Sequence, residues 1–212
     1  MAVGRTYTVK LEAEGNEVST TVEVRKDPNS GGTDADVEEG SKFALAIYRD
    51  TNATAEMISR LEWTRLEVER LRKRIHAEAG DASLLDQSAA LTEKMAAIEA
   101  DLLQPTIAEE DQKSFRGPLG LYLKLIWLNA EAATGAADVS GNADFGPTQP
   151  EREVFALLND QVNATRQKLD AFFGTDLPAF NRELEAKGLG AIVPVKEVLP
   201  EFPPAREKKE DE

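Results

Sequence analysis

The sequence predicts a mainly α-helical chain that opens with a β-hairpin. Three patterns predict it. Residues 6 to 25 alternate apolar and polar side chains with a period of two; from Ser41 onward apolar residues recur every seven positions; and further stripes with steps of three and four run between Leu84 and Leu184. Strand and helix periods thus occupy separate stretches, and the helical ones dominate the length.

Tyr7, Val9 and Leu11 alternate with Thr6, Thr8, Lys10 and Glu12, and Val18, Thr20, Val22 and Val24 alternate with Ser19, Thr21, Glu23 and Arg25. Glu14-Gly15-Asn16 is the turn between them. A lone two-stranded hairpin is marginal in water, so these strands are expected to pack on a helix or to complete a sheet formed elsewhere. The strand's start almost at Met1 and the downstream helices' own apolar stripes favour the second option, in which the chain is a fragment. Asp27-Pro28-Asn29-Ser30-Gly31-Gly32 is a loop.

Thr33 with Asp36 three residues on is a helix-capping pair, weakened by Gly40, so the first helix is expected from Ser41 to Ala79, about 58 Å at 1.5 Å per residue. Ile47, Thr54, Leu61, Val68 and Ile75 form one seam at a spacing of seven. Met57, Thr64 and Leu71 form a second, with Phe43 leading in. That period implies supercoiling against partner helices. Gly80-Asp81 separates this helix from an antiparallel partner striped by Leu84, Ser88, Leu91, Met95, Ile98 and Leu102.

A third helix follows Phe115-Arg116-Gly117-Pro118. It carries two stripes, Leu119, Tyr122, Ile126 and Ala133 beside Leu121, Leu125, Leu128 and Ala132, which predicts burial on two sides. After a small-residue loop over 135–147, Thr148, Pro150 and Glu151 together announce a helix start. Phe155, Leu158, Val162, Thr165, Leu169 and Phe172 stripe the helix it opens. Gly174 is expected to close it, Asp176 and Pro178 to open a short helix through Leu177, Phe180 and Leu184, and Gly188 to stop that one. The expected core includes Ile47, Leu61, Val68, Leu91, Met95, Ile126, Leu158 and Leu169. The four-proline tail from Pro194, ending Arg-Glu-Lys-Lys-Glu-Asp-Glu, is expected to be extended and largely disordered.

Composition narrows the function. In 212 residues, 25 Lys and Arg stand against 39 Asp and Glu, a net charge of -14 that repels nucleic acid, and no stretch is apolar enough to span a bilayer. Without cysteine there is no disulfide, thiol nucleophile or thiolate metal site. His76, the single histidine, has no second histidine to complete a metal pair and is expected to be exposed on its helix. The acidic runs Asp34 to Glu39 and Glu109 to Asp111 lack the spacing of a calcium loop, and the first suits a helix start. Asn52-Ala53-Thr54 and Asn163-Ala164-Thr165 match the glycosylation sequon but fall within expected helices. Trp63, two residues past Leu61, sits off the seam and is expected to pack on the hairpin or on something outside this chain; with Trp127 it suits packing better than a ligand platform. No catalytic, cofactor-binding or metal-ligating residue is assigned.

Gly4-Arg5-Thr6-Tyr7-Thr8-Val9-Lys10-Leu11, Val22-Glu23-Val24-Arg25-Lys26-Asp27-Pro28 and Phe43-Ala44-Leu45 at the start of a long helix resemble the C-terminal end of bacterial sortilin-like (VPS10-type, BNR-repeat) β-propeller proteins. Gly146-Pro147-Thr148-Gln149 with Val154-Phe155, and Thr175-Asp176-Leu177-Pro178-Ala179-Phe180-Asn181 ending in Gly188-Leu189, are similar to that group's closing helices. The resemblance covers roughly residues 4 to 192. It departs where the group usually has a proline before the first strand, and no Ser-x-Asp-x-Gly-x-Thr-Trp propeller box occurs.

The resemblance implies an exported protein whose propeller and immunoglobulin-like β-module precede this segment, many of its kind being labelled glycosyl hydrolases. On it, residues 1–28 are the terminal strands of an immunoglobulin-like β-sandwich, 33–192 an antiparallel four-helix bundle with one long helix and a short fifth helix, and 193–212 an extended charged tail. The chain is then a non-catalytic accessory module that braces the propeller or presents a surface to a protein partner, with neither nucleic acid nor membrane insertion. Two alternatives stand beside it: part of a sialidase-like hydrolase whose catalytic residues lie on the propeller, and a free-standing helical scaffold that self-associates.

Overall fold

The computed structural model describes residues 5–77, 81–104, 119–134 and 144–194. They are mainly helical, with one two-stranded antiparallel sheet, and fall into two compact units. The first comprises residues 1–50 and 125–158, the second residues 51–124 and 159–212.

In the first unit, strands β1 (Arg5–Ala13) and β2 (Asn16–Val24) pair in register from Arg5 opposite Val24 to Ala13 opposite Asn16. Glu14 and Gly15 make the turn with φ of 49° and 78°. Two positive φ values in a two-residue loop match the right-handed strand twist, and they suit asparagine or glycine but strain glutamate. Glu14→Asn is therefore expected to stabilise the hairpin by about 0.5–1 kcal/mol. Slower amide exchange over residues 6–24 would register it; unchanged exchange would mean the turn does not limit the hairpin. Beyond β2, Asp27 closes a turn in which Asn29 N donates to its Oδ1 at 2.8 Å and Ser30 N to its carbonyl at 3.1 Å.

Helix α1 (Asp34–Ala77) begins seven residues earlier than the expected Ser41. The reason is the capping pair, whose hydrogen bonds offset the poor propensity of Gly40. Thr33 N and Oγ1 donate to Asp36 Oδ2 at 2.8 and 2.6 Å, and Asp36 N donates to Thr33 Oγ1 at 3.2 Å. The Thr33 hydroxyl, then the Thr33 N–H, and more weakly the Gly146 N–H hold the Asp36 carboxyl below its usual 3.8, against a small opposing effect of burial. A carboxylate depressed in the folded state contributes stability above its unfolded value that is lost as pH falls through the folded one. The first turn of α1 is thus expected to loosen below about pH 4. Amide shifts of residues 34–37 followed by NMR test this, and Asp36→Asn should abolish the transition.

Both seams of α1 are buried as expected. Ile47, Thr54, Leu61, Val68 and Ile75 lie inside, as do Met57, Thr64 and Leu71. Helix α2 (Ala82–Leu102) starts on Asp81, whose Oδ1 accepts from Leu84 N at 3.2 Å, and its six stripe residues are all buried.

Helix α3 (Leu121–Thr134) buries Leu121, Leu125 and Leu128, but Ile126 is 36% and Trp127 52% exposed. The expectation of burial on two sides, with Ile126 in the core, is therefore corrected. Ile126 lies one residue round the helix from the stripe through Leu121, Leu125 and Leu128, and in this unit that neighbouring face stays open.

Helix α4 (Gln149–Ala171) opens on the expected capping box. Thr148 N and Oγ1 donate to Glu151 Oε2 at 2.6 and 2.7 Å, and Glu151 N donates to Thr148 Oγ1 at 3.4 Å. Gly174 does not close this helix. A π-helical turn, Phe172–Asp176, carries it into α5 (Leu177–Ala186), the Leu177 N–H bonding the Phe172 carbonyl. The apolar stripe explains the turn. From Phe155 to Phe172 it advances by threes and fours, then jumps five to Leu177, and a π turn absorbs the extra residue while keeping Phe172, Leu177, Phe180 and Leu184 buried. The same turn opens the hydrogen-bond ladder where Pro178 has no N–H to give.

Gly188, at φ 73°, ends α5 with Leu189 N bonded to Leu184 O and Gly188 N to Glu185 O, a left-handed glycine closure. Within the second unit three ion pairs tie α2 to this rod: Asp81 with Lys187, Lys94 with Asp176 at 2.5 Å, and Asp101 with Lys168 at 2.7 Å. Numbers rise along α2 as they fall along the rod, so the two run antiparallel. In the first unit Glu39 pairs with Arg152 at 2.8 Å and Phe43 meets Phe155 edge-on at 5.4 Å. Here numbers rise together, and the starts of α1 and α4 run parallel. The tail over 195–212, the Glu109 to Asp111 run and Ala133 of the α3 stripe's side chain lie outside the described residues.

Candidate functional site

Two surfaces stand out, one in each unit. The first is the apolar side of the hairpin. The register places Tyr7 opposite Val22, Val9 opposite Thr20 and Leu11 opposite Val18, all on one face. Lys10, Glu12, Glu17 and Ser19 share the other. The polar face satisfies itself: Lys10 Nζ meets Glu12 at 2.5 Å and Glu17 at 2.8 Å, and these carboxylates, Glu12 foremost, raise the lysine's pKa. The apolar face is left open to solvent. Tyr7, Val9, Leu11, Val18 and Val22 are all exposed, Leu11 and Val18 by about two thirds at 65% and 66%.

The same unit leaves other large apolar side chains open: Leu45 and Tyr48 on α1, Ile126 and Trp127 on α3, Val154 and Leu157 on α4, and Phe145. In the second unit, among the described residues, only Val193 is comparable. The uncovered large apolar groups among the described residues thus lie almost entirely in the first unit.

The second surface is a groove of about 680 Å³ between α1 and the extended segment after α5. Trp63, Glu67, Arg70, Leu71 and Arg74, at helical spacing, form one wall and residues 190–193 the other. Asn181 fixes the second wall. Its Nδ2 donates to Ile192 O and its Oδ1 accepts from Ile192 N, both at 2.9 Å, so the side-chain amide pairs with the backbone as a strand would. Ile192 is buried by this clamp, and sequence periodicity gave no sign of it. Arg70 Nη1 donates to Glu67 Oε1 at 2.5 Å. Arg74 has no ion-pair partner among the described residues. Trp63 is half-buried, and its Nε1 is shielded from solvent without a hydrogen-bond partner among the described residues.

No family model matches the chain, and neither a curated protein nor a solved structure matches it.

The structure places His76 exposed on the last turn of α1, where it joins no constellation among the described residues. Among the described residues no group of three or more histidines and carboxylates converges as a metal cage, and no helix is long and apolar enough to cross a membrane. Thr54 and Thr165 of the two sequons are buried within helices. The acidic start of α1 serves helix capping through Asp36.

Proposed function

We propose that this chain is a non-catalytic interaction module of a larger exported protein of the sortilin-like propeller group. Its helices form a bundle, and its first unit packs against the β-module that precedes it. The observation that carries this reading is the hairpin: a regular, fully registered pair of nine-residue strands whose apolar face is open to water. A face of alternating valine, leucine and tyrosine fits the inner side of a sandwich, where another sheet stacks about 10 Å away.

The test is amide exchange on the isolated chain. Residues 6–24 are expected to exchange at least about a hundredfold faster than Leu84–Leu102, because a two-stranded sheet without a covering layer is only marginally stable. Leu11→Lys with Val18→Lys should leave stability within about 0.5 kcal/mol, as exposed positions do. Equal protection of hairpin and helices, or a mass rising with concentration, would overturn the reading, the latter in favour of a self-associating scaffold.

A further inference from the structure

The groove of the second unit raises a question independent of the hairpin, namely which ligand its charge pattern suits. We propose that it binds an extended segment of a partner protein that carries two carboxylates two residues apart and an apolar side chain beyond them.

Charge is the first argument. The chain as a whole is acidic at -14, yet residues 65–76 of α1 set Arg65, Arg70, Arg72, Lys73 and Arg74 against Glu67 and Glu69. Of these cations Arg70 and Arg74 line the groove. Glu67 engages Arg70 at 2.5 Å, whereas Arg74 has no ion-pair partner among the described residues, which makes Arg74 the stronger carboxylate anchor. The opposite wall, Gly190, Ala191, Ile192 and Val193, brings no charged side chain to neutralise either arginine. A local positive field on a negative body favours anions at this one place.

Spacing then separates a peptide from a compact anion. Trp63 to Arg74 spans about 17 Å of helix, the length of about five extended residues. Arg70 and Arg74 lie one turn apart, a rise of about 6 Å, and in an extended chain side chains two residues apart share a face at about 6.6 Å. Two such carboxylates therefore meet both arginines. Trp63 and Leu71 line the same wall, and Val193 stands 76% exposed on the other, so a third side chain on that peptide face has apolar surface to cover. The Asn181 clamp on Ile192 holds the second wall in place, and a preformed groove spares the ligand the cost of ordering it.

Trp63 is the reporter. In a Trp127→Phe background the full chain keeps it as the sole tryptophan. The probe is the synthetic peptide Glu-Ala-Glu-Ala-Leu, blocked at both ends, with Gln-Ala-Gln-Ala-Leu and succinate for comparison. The acidic peptide should shift Trp63 emission saturably with a Kd below about 1 mM at low salt, and raised salt should weaken it. Arg74→Gln should weaken the peptide about tenfold and Arg70→Gln by less, because Glu67 already holds Arg70. Lys73→Gln removes the same charge from a residue that does not line the groove, and should change binding by less than about twofold. Unchanged helical circular dichroism in each variant shows that the fold survives. No saturable response to the acidic peptide, equal binding of the glutamine peptide, or equal losses from Arg74→Gln and Lys73→Gln overturns the proposal. Succinate bound as tightly as the peptide would make the groove a site for compact anions and overturn it as well.

Discussion

Phe172→Ala is expected to destabilise the second unit by about 3–5 kcal/mol, among the largest losses available to a single truncation here. Phe172 is 1% exposed, the bulkiest of the fully buried side chains, and it sits at the first residue of the π turn. Two costs coincide at that site. Removing the ring leaves a cavity that a rigid helix cannot collapse into, and it removes the apolar anchor that keeps the stripe of α4 in phase with that of α5 across the five-residue jump. Phe173, its neighbour, provides the control. It is half-buried, stacks edge-on against Phe172 at 5.2 Å, and lies under the Arg60 guanidinium at 4.4 Å. Losing one aromatic pair and one cation–π contact should cost about 1–2 kcal/mol. Urea unfolding, read with amide exchange over Leu84–Leu102, separates the two. A Phe172→Ala loss below about 1 kcal/mol would mean that the π turn is not held by its core face.

The long seam of α1 was legible because the signal repeats. Eight residues at heptad positions, from Ile47 to Ile75, agree with one another, and all are buried. Caps were legible for a related reason, since Thr148 with Glu151 and Gly188 are local chemistry that a distant element rarely overrides. Where local signals conflict, the structure settles the contest: the Thr33–Asp36 pair outweighs Gly40, and the continuity of the apolar stripe outweighs Gly174 with Pro178. In both cases a single poor helix former, costing about 1 kcal/mol for glycine, lost to several favourable terms acting together. The step of five from Phe172 to Leu177 is visible in the sequence and would have announced the π turn. Ile126 is a different case, because apolar character records only that a face is fit for burial, and in the first unit several such faces have no cover. The groove was not legible at all: its second wall depends on the Asn181 clamp on Ile192, a pairing across eleven residues that no periodicity encodes. Only Trp63, set off from the seam, hinted that something besides the seam lay against that side of α1.

Gly32→Ala is expected to cost the first unit about 2–3 kcal/mol, although alanine is ordinarily a mild replacement. A Cβ at position 32 would stand 1.8 Å from the Asp144 carbonyl oxygen and 2.3 Å from its carbon. Both are backbone atoms, so no side-chain rotation relieves the clash, and the strand of loop over 144–147 must move. That loop is not free to move without consequence. Asp144 is already held at φ 55°, and Gly146 donates its N–H to Asp36, where it helps keep that carboxylate ionised at the start of α1. Gly31 makes the comparison sharp: a Cβ there would meet only the Phe145 ring, at 3.0 Å, and that ring is 60% exposed and can swing aside. Gly31→Ala should therefore cost less than about 1 kcal/mol. Displacing the loop has a second readout that simple overpacking lacks. With the Gly146 N–H withdrawn, the Asp36 carboxyl should titrate closer to its ordinary value, so the acid loosening of the first turn of α1 should begin at higher pH in Gly32→Ala than in the unaltered chain. Loss of stability with no change in that titration would mean that the clash is relieved elsewhere and that residues 144–147 do not brace the helix start.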